Sequence, residues 1–354
     1  MAQRLTPLQL VFGEARVYWK PVAMFAVLVV GVACSAQSIP QSTRVDAASA
    51  SALASTPHNV WATASPPPAP SYAGMLAAND TIAYLMGGVY GSRYESLVFS
   101  YSATTNQWRA EASMPAAAGV GSTGAIGFGG AAADNGIVYV AGGENAEHMG
   151  GMSIFEAYHP VTKTWEALTA MPRPRTRLAA AALNGVLYVG GGQTQTSVLG
   201  ILEAYNVATK SWSELAPMPT PRSSFALVVA NSLLYAIGGN SGTPASPVPS
   251  AVVEAYNPAT NAWSTLAPMP TPRWGLAASA DGTMIYAIGG LTTGTTSSLH
   301  TVEGYDVATN QWITRLSLPR GRADFSAVTI AGKVYVPNGI DRHSGNSDLY
   351  VYTP

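Results

Sequence analysis

The chain has 354 residues, of which 47% are hydrophobic and only 10% charged, with 35 Gly, 25 Pro, 8 Trp and a single Cys. Eighteen Lys and Arg against 19 Asp and Glu leave a formal net charge of −1, which excludes a broad electrostatic grip on nucleic acid or anionic lipid. One cysteine forbids an intrachain disulfide and any zinc site built on two or more cysteines of one chain.

The first 36 residues read as an export leader. Arg4, Arg16 and Lys20 precede a continuous apolar run from Val22 to Ala33, followed by Cys34, Ser35 and Ala36. Twelve apolar residues suit the core of a signal peptide and fall short of the ~20 that span a bilayer; an uncleaved anchor is the alternative. Gly31-Val32-Ala33-Cys34 loosely resembles a lipoprotein signal, with Gly31 where that motif wants Leu, Val or Ile. Residues 37–57 are mostly Ser, Ala and Thr; they carry too little apolar surface to offset ordering entropy, and read as a flexible tether.

From residue 58 onward the sequence repeats. Trp61, Trp108, Trp165, Trp212, Trp263 and Trp312 recur every 47 to 57 residues, the period of a propeller or solenoid array. Between them stand Gly87-Gly88, Gly142-Gly143, Gly191-Gly192, Gly238-Gly239 and Gly289-Gly290, with Asn338-Gly339 in the sixth slot. Seven residues before each of the last five tryptophans lies a tyrosine: Tyr101, Tyr158, Tyr205, Tyr256 and Tyr305. Each unit reads as four antiparallel strands: an Ala-rich first strand, a hairpin such as Asn184-Gly185, Asn231-Ser232 or Asp281-Gly282, a second strand ending in diglycine, a Glu-x-Tyr strand and a Trp strand. Four such strands make one propeller blade, with the small side chains of the first strand crowding the axis.

This pattern resembles the kelch repeat: a diglycine, a Tyr 13 to 17 residues on, a Trp seven later, and Met-Pro-x-Pro-Arg closing three units. The resemblance covers residues 58–354 and implies an all-β, six-bladed β-propeller. The sixth unit, Phe325 to Tyr352, has three strands and no Trp; Trp61 is expected to supply its outermost strand, so that both chain ends share one sheet and no incomplete edge is left.

In such a meander the loop into the first strand and the loop between strands two and three emerge on one face. The second-to-third loops are long and varied, from Glu144, Gly192, Asn240 and Leu291 onward, whereas the opposite loops are tight turns. Long irregular loops on a rigid scaffold are where binding concentrates, so that face is the candidate site. Ten residues past each Trp the register reads Ser71, Ala118, Arg175, Arg222, Arg273 and Arg322. Four arginines at the entry to the innermost strand suggest a mouth for carboxylates or phosphates, and the kelch resemblance implies that arginines at this loop can face the ligand pocket. The competing reading is that each pairs with a neighbouring acid or caps a carbonyl. Arg177 and Arg320 read as solvated rim. Trp274, next to Arg273, offers an aromatic platform or fills the channel. Glu156, Glu203, Glu254 and Glu303 recur two residues before the strand-three Tyr, and their repetition points to packing or Arg pairing over catalysis.

His148, His300 and His343 fall in loops of that face without metal-ligand spacing, and no catalytic residue, metal or cofactor is expected. Some extracellular kelch propellers are copper radical oxidases, a chemistry that needs a cysteine crosslinked to a tyrosine; the one cysteine here is Cys34, in the leader. Two readings of function remain. The first is an exported, non-catalytic, monomeric binding protein whose long-loop face holds a glycan, an anionic small molecule, a peptide or a protein, with contact to the membrane only through the leader. The second, implied by resemblance to periplasmic kelch propellers that mutarotate sialic acid, is a sugar isomerase drawing on Glu144, Glu147 and His148.

Overall fold

The computed structural model describes residues 58–69, 71–116, 124–293, 297–341 and 344–354. The leader with Cys34, the tether at 37–57, Ala118 and His343 lie outside the described residues.

Six four-stranded antiparallel sheets form the blades. Blade 3 is typical, with strands Ala179–Leu183, Val186–Gly190, Leu202–Asn206 and Ser211–Glu214. Its first hairpin turns through Asn184 and Gly185 at φ of 53° and 76°, the left-handed pair that matches strand twist in a two-residue turn. Blade 5 departs by one residue: its first two strands are Ala277–Ala280 and Met284–Ile288, and of the intervening residues only Gly282 has positive φ.

Blade 6 closes the ring as expected. Strand Val60–Ala64 is its outermost member, beside Leu349–Thr353, Lys333–Pro337 and Val328–Ile330. Trp61 pairs with Tyr352 in register and their rings lie 5.0 Å apart, the arrangement that Tyr205 and Trp212 adopt at 5.3 Å inside blade 3. Asn59 completes the imitation. Its Oδ1 accepts hydrogen bonds from Tyr352 Oη at 2.7 Å and Leu316 N at 3.0 Å, as Asn261 does for Tyr256 Oη and Ala216 N in blade 4.

The repeated tryptophans fasten neighbouring blades. Each indole Nε1 donates to a carbonyl at the end of the preceding blade: Trp108 to Ser65, Trp165 to Ala112, Trp212 to Thr169, Trp263 to Ala216, Trp312 to Ala267 and Trp61 to Leu316, all at 2.7 to 2.9 Å. The hydrophobic core is accordingly interfacial. One cluster joins Tyr235, Ile237, Val253 and Met269 of blade 4 to Leu276, Ile285 and Tyr305 of blade 5. Because Trp61 is half-buried and carries both a ring contact and an inter-blade bond, Trp61→Ala is expected to cost about 2 kcal/mol in urea unfolding, below the range for a fully buried Trp; a loss under about 0.5 kcal/mol would mean the closing strand holds without it.

The diglycines sit where consecutive blades touch. Gly191, at φ of 56°, leaves no room for a side chain, since a Cβ there would lie 2.4 Å from the Arg222 carbonyl. The N–H of Gly192 donates to that same carbonyl at 3.0 Å. The first strands surround an axial channel of about 390 Å³, lined along its length by Ala78, Ala132, Ala181, Val228 and Ala278.

Candidate functional site

At the long-loop end of the channel six residues, one per blade, take the left-handed conformation: Ala73, Phe128, Arg177, Ser224, Gly275 and Asp324, with φ between 48° and 61°. Each turns its N–H toward the preceding blade, and the bonds close on themselves. Phe128 donates to Ala73, Arg177 to Phe128, Ser224 to Arg177, Gly275 to Ser224, Asp324 to Gly275 and Ala73 to Asp324, at 2.6 to 3.0 Å. Five non-glycine residues hold a conformation that costs free energy for an L side chain, which the ring geometry imposes.

Arg177 and Asp324 stand three places apart in this six-membered ring, opposite one another. Their side chains meet across the axis, Nη1 to Oδ1 at 3.9 Å. Arg177 also lies 3.7 Å above the Phe128 ring and 3.8 Å from Glu144 Oε1, and Tyr94 Oη donates to Glu144 Oε1 at 3.2 Å. Tyr72 adjoins Phe128 edge to face at 6.1 Å. Arg177 is therefore no solvated rim residue: it is the centre of an aromatic and acidic cluster capping the channel. Arg320, by contrast, is exposed and meets Asp341 at 3.4 Å, as expected of a rim residue.

Two carboxylates facing one guanidinium are both out of their ordinary range. Burial pushes Asp324 up, with Arg177 opposing. Burial likewise raises Glu144, against the pull of Arg177 and the hydrogen bond from Tyr94. Burial and the Glu144 carboxylate push the Tyr94 phenol up, so it donates throughout the physiological range.

The four arginines expected at the mouth are elsewhere. Arg175, Arg222, Arg273 and Arg322 are 0% exposed, each turned into its own blade. Arg175 bonds Glu203 at 2.7 Å, Arg222 bonds Glu254 at 2.6 Å and Arg273 bonds Glu303 at 2.8 Å. Arg222 further donates to the carbonyls of Thr220, Gly238 and Val252. In blade 6, where Tyr350 replaces the glutamate, Arg322 lies 4.6 Å from the Tyr350 ring centroid and donates to Val336 and Asn338 carbonyls. Burial draws Arg273 and Arg322 down to about 10, so both keep their charge at neutral pH. An arginine-lined mouth is thus corrected to four internal clamps, because each guanidinium finds carboxylate or carbonyl acceptors inside its own blade. Three of the four recurring glutamates are arginine partners. Glu156 is the exception, 4% exposed with no charged or hydrogen-bonding side chain against it among the described residues, and burial raises it to about 7.

Trp274 is half-buried, next to ring residue Gly275, and its backbone pairs with Leu291 at 2.8 and 3.0 Å. It does not line the channel; it holds in blade 5 the register position that Tyr72 holds in blade 1. Of the residues considered for proton transfer, Glu144 alone reaches the axial cluster. Glu147 is exposed and His148 bonds Asn145 within its own loop. His300 is held by the Leu318 carbonyl and the Gly321 N–H.

The axial cluster was not read from the sequence because its six members come from six separate segments. The available signal was the residue two after each Arg position, which reads Ala73, Arg177, Ser224, Gly275 and Asp324 and breaks the repeat with opposite charges.

Comparison with known proteins fits this architecture. Residues 130–290 match the KLHDC2/KLHL20/DRC7 Kelch-repeats domain, and residues 72–115 and 272–314 match the Kelch motif. Similar proteins include the Kelch repeat and BTB domain-containing protein 1 of Cowpox virus (strain Brighton Red), 28% identical over 64% of this chain and 39% of the relative. Alpha-scruin of Limulus polyphemus is 34% identical over 41% of this chain and 16% of its own length. Kelch-like protein 40 of Xenopus laevis is 30% identical over 37% of this chain and 20% of its length. The chain spans well under half the length of these relatives. Repeat, blade count and matched motifs agree: the chain belongs to the kelch-repeat family.

Proposed function

We propose that this chain is an exported, non-catalytic binding module that holds a glycan or a peptide on its long-loop face, centred over the axis. The observation that carries the reading is the break in sixfold symmetry there. A repeat built for packing alone would copy one residue around the ring; instead Arg177, Asp324 and Glu144 gather with Tyr72, Tyr94 and Phe128. Charged donors and acceptors fix a polar ligand while aromatic faces, Trp274 among them, give sugar rings or peptide planes a surface. Residues 1–36 direct export and 37–57 tether the propeller.

The test is a glycan and peptide array, followed by titration of any hit against face variants. Trp274→Ala and Tyr72→Ala are expected to weaken binding about tenfold or more, whereas Val161→Asp and Lys333→Glu, exposed on the opposite turns, leave it unchanged. Loss of binding in the second pair with retention in the first would overturn the assignment.

A further inference from the structure

Blade 1 lacks, at both positions, the buried ion pair that blades 3, 4 and 5 carry. Ser71 stands where the four clamp arginines stand. Phe99 pairs with Leu85 where Glu203 pairs with Val189 in blade 3. Losing the guanidinium and its stem leaves a cavity of about 210 Å³, walled by Leu85, Gly87, Leu97 and Phe99, with Tyr90 and Glu95 among its lining. The Ser71 hydroxyl is already engaged, accepting from Asn338 Nδ2 at 2.6 Å, so it offers water little inside.

The cavity opens outward. Glu203 and Glu254 are 1% and 2% exposed in their blades, whereas Leu97 and Tyr90 here are 41% and 53% exposed and Phe99 is half-buried. A pocket with almost wholly apolar walls is poorly served by water, and cavities of about 150 Å³ lined by Leu, Ile and Phe accept benzene. The larger volume here admits a ring with two further carbons. Glu95 adds the second element of chemistry: its carboxylate has no ion pair or side-chain hydrogen bond among the described residues, and its backbone is pinned by bonds to Gly88 and Ile126.

We propose that this blade-1 cavity binds an aromatic ring bearing a short cationic arm, the ring between Leu85, Leu97 and Phe99 and the ammonium against Glu95. A free arylalkylamine and an N-terminal phenylalanine share that chemistry. The site is separate from the axial face and does not depend on its function.

The experiment is titration of the intact protein with phenethylamine, its neutral counterpart 2-phenylethanol, and the tripeptide Phe-Gly-Gly, followed by protein and ligand NMR. Phenethylamine is expected to saturate with a Kd on the order of 1 mM. Glu95→Gln, a near-isosteric change at a half-buried rim position, is expected to weaken phenethylamine about fivefold and leave 2-phenylethanol unchanged. The double variant Ser71→Arg/Phe99→Glu installs the clamp of the other blades and is expected to abolish binding of both. Saturation by Phe-Gly-Gly places the ligand on a chain terminus; saturation by the amine alone places it on a small molecule. The proposal is overturned by absence of saturable phenethylamine binding, by binding that Glu95→Gln does not alter, or by binding that survives in a folded double variant.

Discussion

Replacing Arg222 by alanine is expected to lower the unfolding free energy by about 3–5 kcal/mol, the usual consequence of removing one partner from a buried pair. The guanidinium is 0% exposed and Glu254 2% exposed, so the variant leaves a carboxylate in the interior without its cation. It also strands the carbonyl of Gly238, which accepts from Arg222 at 3.1 Å, and leaves the Val252 carbonyl with only the Gly238 N–H. Thr220 Oγ1, which donates to Glu254 at 2.8 Å, compensates only in part. The double variant Arg222→Met/Glu254→Leu is expected to lose less than either single change, because an apolar pair of similar volume has no charge to desolvate. Urea unfolding of the parent, Arg222→Met, Glu254→Leu and the double variant reads this as a cycle. A single-variant loss under about 0.5 kcal/mol would fall in the range of exposed ion pairs and return these arginines to the candidate ligand set.

Glu156 yields the other large effect, with the opposite sign. Its carboxyl is raised from 4.5 to about 7 by burial. The folded protein thus binds this proton more tightly than the unfolded chain, and the linked stability is fully present below about pH 4.5. It falls as pH rises toward 7 and is flat above that, a total of about 3 kcal/mol at 1.36 kcal/mol per unit. Glu156→Gln removes the ionisation while keeping the shape. Its stability relative to the parent protein is therefore expected to rise by about 3 kcal/mol between pH 4 and pH 8. Taking the difference cancels Glu144 and Asp324, whose raised carboxyls follow the same sign. A difference independent of pH would show that Glu156 finds a cationic partner in solution.

The contrast between Arg222 and Glu156 shows how the repeat was built and where it was left incomplete. Blades 3, 4 and 5 carry both arginine and glutamate, blade 6 the arginine alone, blade 2 the glutamate alone and blade 1 neither. The blades nonetheless share one architecture, because the Trp Nε1 bonds recur in all of them, as do the contacts of the diglycine position, which is Asn338-Gly339 in blade 6. The ion pair is therefore a local clamp within a blade, and its absence leaves a titratable carboxyl in one blade and an open apolar cavity in another.

The sequence by itself determined the number of blades, the strand order within each and the closure through Trp61. All three rest on short-range regularities: turn residues at fixed offsets, a seven-residue Tyr-to-Trp step, and a count of units in which the last lacks its Trp strand while a lone Trp strand stands at the front. It also offered Arg pairing as an alternative for the recurring glutamates, since residues copied from blade to blade face copied neighbours. Only the tertiary structure decided which way Arg175, Arg222, Arg273 and Arg322 point. Position near the axis is a property of the backbone, whereas inward or outward orientation depends on the carbonyls that await the guanidinium 14 to 16 residues downstream and the glutamate 28 to 32 residues downstream. The meeting of Arg177 with Asp324 belongs to the same class. They are 147 residues apart and come together only because six left-handed residues close a ring, placing blades 3 and 6 on opposite sides of a narrow axis.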